Sequence, residues 1–498
     1  MLAFLLFCLA FAAATLLYVY EGVLAFMALK LWPQAAHSTP AAPAAPLPDD
    51  AALPKMLVQV PLYNERYVVT GLIDALAKLD YPSAKLTIQI LDDSTDDTPE
   101  IVEHSLGQVR ARGFTVEHVR RENRQGFKAG ALAAGMALDN SPFIAIFDAD
   151  FLPQPTILRQ LYAEFDGPDL ALVQAAWDHI NGEENLATRL MSLAIDDHFS
   201  IEQQGRQDMG AWIHFNGTAG LWRREAIIAS GGWQSDTLTE DLDLSFRAQA
   251  KGWRLKYVDH IKVPCLIPSV MTAIRTQQRR WTKGAAETAR KNVKLLIAKE
   301  APFAVKLVDF FHVMNFIMFP AMLVMSLSLA LLALFTNAAF TPPYYALVVF
   351  LYPLLPLSLL PYFIAGVTRA RRDGDHNILL VAFNTFLLLL LIVGISVQNT
   401  VSVAEGLTGR KTSFVRTPKT LPGQAPSSLS RTYKYNMPTK VMLLETVVAL
   451  LMLAFVVELV VTGNWFVVLT ALYFFACYAM VIALSLLELR PAAPRQSR

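Results

Sequence analysis

The sequence is short of charge. Asp, Glu, Lys and Arg make up 17 % of its 498 residues, against 54 % hydrophobic ones. A soluble enzyme of this size approaches a quarter charged, so the deficit argues against one, and the apolar excess argues against a disordered chain. An excess of basic residues is also missing. The formal net charge of +1 speaks against a dedicated nucleic-acid binder, which needs a basic surface. Cysteine is scarce: Cys8, Cys265 and Cys477 lie too far apart in sequence to suggest a disulfide scaffold or a zinc cluster. There is no GxGxxG and no P-loop, so a dinucleotide fold and a Walker-type site lack support.

The apolar residues are unevenly spread. Residues 1–29 are nearly uncharged, Glu21 being the exception. With no Lys or Arg at its start this stretch is a poor signal peptide, but it is long enough to span a bilayer. A Pro/Ala spacer, 40–54, follows. Residues 55 to about 300 have ordinary charge content. Five further runs, 313–336, 344–367, 378–398, 441–462 and 465–487, are each near the length of a crossing helix. Basic residues flank them: Arg369, Arg371 and Arg372; seven from Arg410 to Lys440; and Arg490, Arg495 and Arg498. The positive-inside rule makes all three stretches cytoplasmic, and the charged domain with them. Segment 378–398 then has a basic loop on both sides. It is expected to be interfacial or re-entrant, or to return through 399–408. That gives five crossings, or seven with two short ones; a plain count of six is the alternative.

The charged domain reads as a mononucleotide-binding α/β unit. Strands are expected at 56–60, 86–91, 114–119 and 143–147. Asp92 and Asp93 follow the second, at the C-terminal edge where open α/β sheets bind ligands. Asp148 and Asp150 follow the fourth. Two carboxylates two residues apart at a strand end can share one Mg²⁺ or Mn²⁺, with diphosphate oxygens completing an octahedron. Such a triplet is often only a turn or a cap; the apolar strand before it and the Asp92–Asp93 pair favour the ion. Thr239, Glu240 and Asp241 precede an amphipathic stretch. Asp241 is either a helix cap or a general base for an acceptor hydroxyl. Gln277, Arg280 and Trp281 belong either to a membrane anchor or to a sugar site. Residues 413–420 are a basic loop containing a proline.

Taken together, residues 59–65, 89–96, 123–132, 148–150, 218–220, 239–243, 252–257 and 277–281 resemble the family 2 inverting glycosyltransferases with membrane channels, the cellulose synthase superfamily. The closest likeness is to the cellulose-synthase-like A group, the glucomannan 4-β-mannosyltransferases. The resemblance covers roughly half the chain. It implies an α/β nucleotide-sugar-binding domain of GT-A type inserted into an α-helical transmembrane region. Its implied divisions are a helix at 1–30, a linker at 31–54, the transferase domain at 55–264 and interfacial helices at 265–308. Membrane or interfacial helices at 309–404, a gating-type loop at 405–438, two helices at 439–488 and a tail at 489–498 complete it.

The resemblance also implies roles. Asp92 and Asp93 would contact the base or ribose. Lys128, Asp148, Gln277 and Arg280 would hold the diphosphate, with Asp148 and Asp150 on the metal. Asp241 would be the catalytic base. Trp281, Trp177, Glu240, Gly217 and Thr218 would line the acceptor path. Phe414, Arg416, Thr417 and Lys419 would form the gating loop. Thr282, Lys283 and Gly284 depart from the Ser-Cys-Gly of the plant proteins. No zinc finger or second-messenger domain is expected, which puts regulation of the cellulose synthase kind in doubt.

The expected activity is polymerisation of a β-1,4-linked mannan, glucomannan or glucan from GDP-mannose or UDP-glucose. It is expected at the bacterial inner membrane, with the catalytic domain cytoplasmic, export through the helices and possible help from an accessory export protein. Membrane lipids are the expected surroundings, and no nucleic acid is expected. One alternative is a non-processive transferase acting on a lipid acceptor. Another, a transporter with a degenerate nucleotide fold, is disfavoured by the intact carboxylate sites.

Overall fold

The computed structural model describes residues 1–36, 46–336, 341–374, 377–412, 419 and 439–488. Phe414, Arg416 and Thr417 lie outside the described residues.

Seven strands form one sheet: β1 (Met56–Leu62), β2 (Leu86–Asp92), β3 (Thr115–Arg120), β4 (Phe143–Ile146), β5 (Leu170–His179), β6 (Gly220–Arg223) and β7 (Arg254–Cys265). Their order is β3-β2-β1-β4-β6-β5-β7. The first four are parallel, as the spacing of strands and helices predicts. The sheet continues past β4, where β6 runs antiparallel to both β4 and β5. The sequence reading stops at β4; β5, β6 and β7 lie beyond it, and the antiparallel insertion of β6 between β4 and β5 reverses the chain order in a way that local periodicity does not encode. Val58, Val60, Ile88, Ile90 and Ala145 are fully buried. Parallel strands covered on both faces read as continuous apolar runs, and burying each large aliphatic side chain contributes about 1.5–3 kcal/mol.

Among the described residues five helical stretches are long and apolar enough to cross a membrane: Leu2–Trp32, Phe303–Phe335, Pro342–Arg372, Thr439–Val461 and Trp465–Leu487. Ile378–Gly394 and Ser396–Leu407 form a pair bent by 47°. Both ends of this pair are tied to helices outside the apolar stretches, Leu186–Asp197 and Met271–Ala298. Before it, Arg369 bonds Asp196 at 2.8 Å. In its last turn Glu405 pairs with Arg279 at 2.9 Å, and just after it the Arg410 carbonyl accepts from Lys283 at 2.5 Å. Counted as one span, the bent pair would make a sixth such stretch among the described residues. Glu488, after the last helix, accepts from the amides of Met271 and Thr272, which ties that end to the start of helix Met271–Ala298.

Helix Met271–Ala298 joins the two parts. Arg275 makes a bidentate pair with Glu445, both bonds 2.7 Å, and also reaches Ser485 and Gln398. Both charges are buried. A buried pair with its remaining hydrogen bonds made fixes an orientation more than it adds stability. Here it fixes the helix that carries Gln277, Arg280 and Trp281.

Candidate active site

The C-terminal ends of β1, β2 and β4 converge on one polar pocket. Its lining includes Tyr63, Asp93, Lys128, Asp148, Asp150, Gly217, Glu240, Asp241, Gln277, Arg280, Trp281 and Trp177. Segments far apart in sequence are thus brought together much as the motifs predict. Three residues with side chains have positive φ at this edge: Asn64 (57°), Phe127 (49°) and Ala219 (55°). Backbone held in this way collects at functional sites. Asn64 also ties the first loop to the second, since its side-chain oxygen accepts from the Thr95 amide at 2.9 Å and its amide donates to Ser94 Oγ at 2.8 Å.

Asp92 is a correction. It was expected at the nucleotide beside Asp93, but it is buried and faces away from the pocket. Being the last residue of β2, it alternates to the opposite side from Asp93. There it accepts from His118 Nε2 at 3.0 Å and from the Ser94 amide at 2.8 Å. Thr218 is also buried. Its hydroxyl accepts from the Asp148 amide at 2.9 Å, so it positions Asp148 and does not face an acceptor. Arg121 is the residue that the sequence reading missed. It holds Asp93 through Nε at 2.9 Å and through Nη2, and it reaches the carbonyls of Gln125 and Phe127. One guanidinium thus couples the β2 loop to the turn that presents Lys128. The only sequence signal was its place just before the 123–130 motif.

Lys128 Nζ donates to Asp148 at 2.5 Å and to the Gly217 carbonyl at 2.8 Å. Burial alone would lower its pKa; Asp148, Glu240 and Asp241 outweigh that and keep the ammonium charged. Lys419 pairs with Asp150. Among the described residues no group of three or more His, Cys, Asp or Glu could hold a metal. Two carboxylates at the rim of a phosphate-sized pocket nevertheless fit a hard cation whose other ligands come from a diphosphate.

Asp241 is the second residue of helix Glu240–Ala250, and its Oδ1 accepts from the Leu242 amide at 2.9 Å. Burial pushes its carboxyl above the usual range, opposed by Lys128, that amide and Arg280. Glu240 is pushed to about 7, by burial first and by the Asp241 charge second. Gly217 lets the chain pass close by. It has φ +83°, and a Cβ there would lie 2.9 Å from Asp241 Oδ2 and 3.5 Å from Lys128 Nζ. Gly284, one of the departures from the plant motif, seats helix Met271–Ala298 on the preceding loop, since a Cβ would lie 2.5 Å from Thr239.

Trp177, Asn216, Thr239, Asp241 and Trp281 line a second cavity as well. It measures about 610 Å³ and continues between the membrane helices, past Tyr362 and Met322 to Tyr473 and Phe474.

A mixed α/β sheet with a carboxylate-rimmed pocket at its C-terminal edge defines the class: a nucleotide-sugar-binding domain of GT-A type. The fold matches that of the mannosyltransferase PcManGT from Pyrobaculum calidifontis, solved with GDP-Man and Mn²⁺, with a TM-score of 0.53 and 20 % identity over 74 % of this chain and all of that one. Residues 143–365 match the family model described as glycosyl transferase family group 2. The chain is 41 % identical over 257 residues to glucomannan 4-beta-mannosyltransferase 1 of Oryza sativa subsp. japonica, covering 49 % of each chain. It is 42 % identical over 255 residues to glucomannan 4-beta-mannosyltransferase 7 of Arabidopsis thaliana, covering 50 % of this chain and 46 % of that one. The match spans about half the length of these relatives. Residues 143–365 thus match a family 2 glycosyltransferase model, and half of the chain is similar to the glucomannan 4-beta-mannosyltransferases that its motifs resemble.

Proposed function

We propose that this chain is an inverting, nucleotide-sugar-dependent hexosyltransferase of the membrane. In this reading it polymerises a β-1,4-linked mannan, glucomannan or glucan on the cytoplasmic face of a bacterial inner membrane and passes the product outward. One observation carries the proposal: Asp241 and Trp281 line both the donor pocket and the cavity between the membrane helices. A product made at Asp241 has a route that begins where it forms.

The chemistry follows from charge development. The acceptor hydroxyl oxygen attacks the donor's anomeric carbon as the bond from that carbon to the diphosphate breaks. Asp241 takes the hydroxyl proton. The diphosphate departs with its electron pair toward Lys128 and Arg280, whose charges are in place before the step. Asp148 and Asp150 would hold Mg²⁺ or Mn²⁺, which neutralises leaving-group charge when bound. A single displacement from the face opposite the leaving group converts an α-linked donor into a β-linked product. Asp93, held by Arg121, meets the nucleoside end. Trp177 and Trp281 offer apolar faces to sugar rings. The partners in this reading are GDP-mannose or UDP-glucose and the growing polysaccharide.

The many Leu, Met and Phe side chains of the cavity wall favour a second reading, transfer to a lipid acceptor. Incubating membranes with GDP-mannose and UDP-glucose in parallel separates the two. Label in ethanol-insoluble chains cut by a linkage-specific β-mannanase or β-glucanase supports polymerisation, and label confined to the lipid extract supports the second reading.

A further inference from the structure

Residues 1–29 contain one charged side chain, Glu21. It sits on helix Leu2–Ala36, and Asp197 ends helix Leu186–Asp197 of the catalytic domain. Both line the 610 Å³ cavity, together with Tyr20, Ser358 and Tyr362. Glu21 is 5 % exposed and Asp197 1 %. Glu21 Oε2 and Asp197 Oδ1 have no hydrogen-bond partner among the described residues. A buried carboxyl oxygen left so has given up its water without replacement, and such groups mark a missing partner. Neighbouring Glu202 differs, since it is committed to Arg206 and to His198 at 3.2 Å.

The missing partner must supply hydrogen-bond donors. A metal ion fits poorly, because no metal-holding cluster exists among the described residues. Burial, then Glu202 and Glu21, also raises the Asp197 carboxyl well above its usual range. A carboxyl that holds its proton can donate as well as accept, so two such groups on one cavity wall suit sugar hydroxyls, which do the same. Tyr20 and Tyr362 add ring faces for a pyranose.

We propose that Glu21 and Asp197 form a sugar-binding subsite in the cavity wall, gripping the hydroxyls of one pyranose unit of the acceptor chain beyond the transfer point. The proposal rests on the transferase reading of the active site. It also makes the N-terminal helix part of acceptor recognition and accounts for the one charge among residues 1–29.

The test uses the full chain in lipid nanodiscs, with β-1,4-mannohexaose as acceptor probe. In Glu21→Leu and in Asp197→Asn the KM for mannohexaose should rise about tenfold or more, the worth of a charged hydrogen bond, while the donor KM stays within twofold. Glu21→Leu should melt no lower than the parent, because it removes a buried polar group rather than a structural pair. An unchanged acceptor KM in both variants, or donor and acceptor KM rising together, overturns the subsite. Titrating mannohexaose against tryptophan fluorescence covers a Glu21→Leu chain that does not fold: undiminished affinity in Asp197→Asn alone also overturns it. If the parent transfers no sugar, the active-site reading fails separately. The titration still decides the subsite, and absence of binding, or Mn²⁺ bound at the pair instead, counts against it.

Discussion

Replacing Asp241 with Asn removes the proposed base and little else. The Asn side-chain oxygen can still accept from the Leu242 amide, which now meets Oδ1 at 2.9 Å. The neighbours Gly217 and Lys128 are unchanged. Burial raises the Asp241 carboxyl, so the folded state disfavours its charge and a neutral isostere costs the fold little. Lost base catalysis is worth about 10²–10⁴ in rate, or roughly 3–5 kcal/mol of barrier. The assay is transfer of radiolabelled sugar at saturating donor, with nucleoside diphosphate binding measured beside it. We expect kcat to fall by about 10³-fold with donor affinity within threefold. Turnover within tenfold of the parent would refute the base assignment. The same groups set a pH profile. With Asp241 ionised, Glu240 keeps its proton up to about 7, so the pair's acid limb should lie above the ordinary carboxylate range. Glu240→Gln, by removing one of the two like charges, should move it to lower pH.

Gly217→Ala forces a Cβ into a positive-φ position against Asp241 and Lys128. It should cost about 1–3 kcal/mol of stability and at least tenfold in kcat, read by thermal melting and transfer. His118 lies between Asp92 and Glu103, and their hydrogen bonds raise its pKa. A raised folded value gives stability that is full below the unfolded value, about 6.5. That stability is lost as pH climbs through the folded one. Melting curves from pH 6 to 9 should fall more steeply for the parent than for His118→Gln, and parallel curves would contradict this. Arg275→Ala strands Glu445 and should destabilise the chain by about 3–5 kcal/mol. The Arg275→Met, Glu445→Leu double variant should recover most of that in detergent unfolding.

Much of the polar pocket was legible because its groups sit at strand ends. There an apolar run followed by carboxylates is a local signal, as at Asp92–Asp93 and Asp148–Asp150. Asp92 was misplaced because the alternation of side chains turns on where β2 ends, and the strand runs one residue further than the pattern suggests. Arg121 and the Arg275–Glu445 pair were invisible: both act across distances in sequence that only packing closes. The antiparallel strand β6 was missed because its place between β4 and β5 is set by long-range pairing, not by a local pattern. Segment 378–398 stood out by charge parity; the 47° bend between Ile378–Gly394 and Ser396–Leu407 and the Glu405–Arg279 contact arise from packing that the charges alone do not show. Glu21 stood out as a lone charge, but nothing in the sequence places Asp197 near it.

The central claim is that one site joins sugar transfer to a path between the helices. It is tested most directly with the full chain in sealed vesicles, catalytic domain outward, supplied with labelled GDP-mannose and UDP-glucose and divalent cation. The account predicts ethanol-insoluble polymer that added β-mannanase or β-glucanase digests only after the vesicles are opened. Label recovered only in lipid, or polymer digested without opening the vesicles, would contradict it.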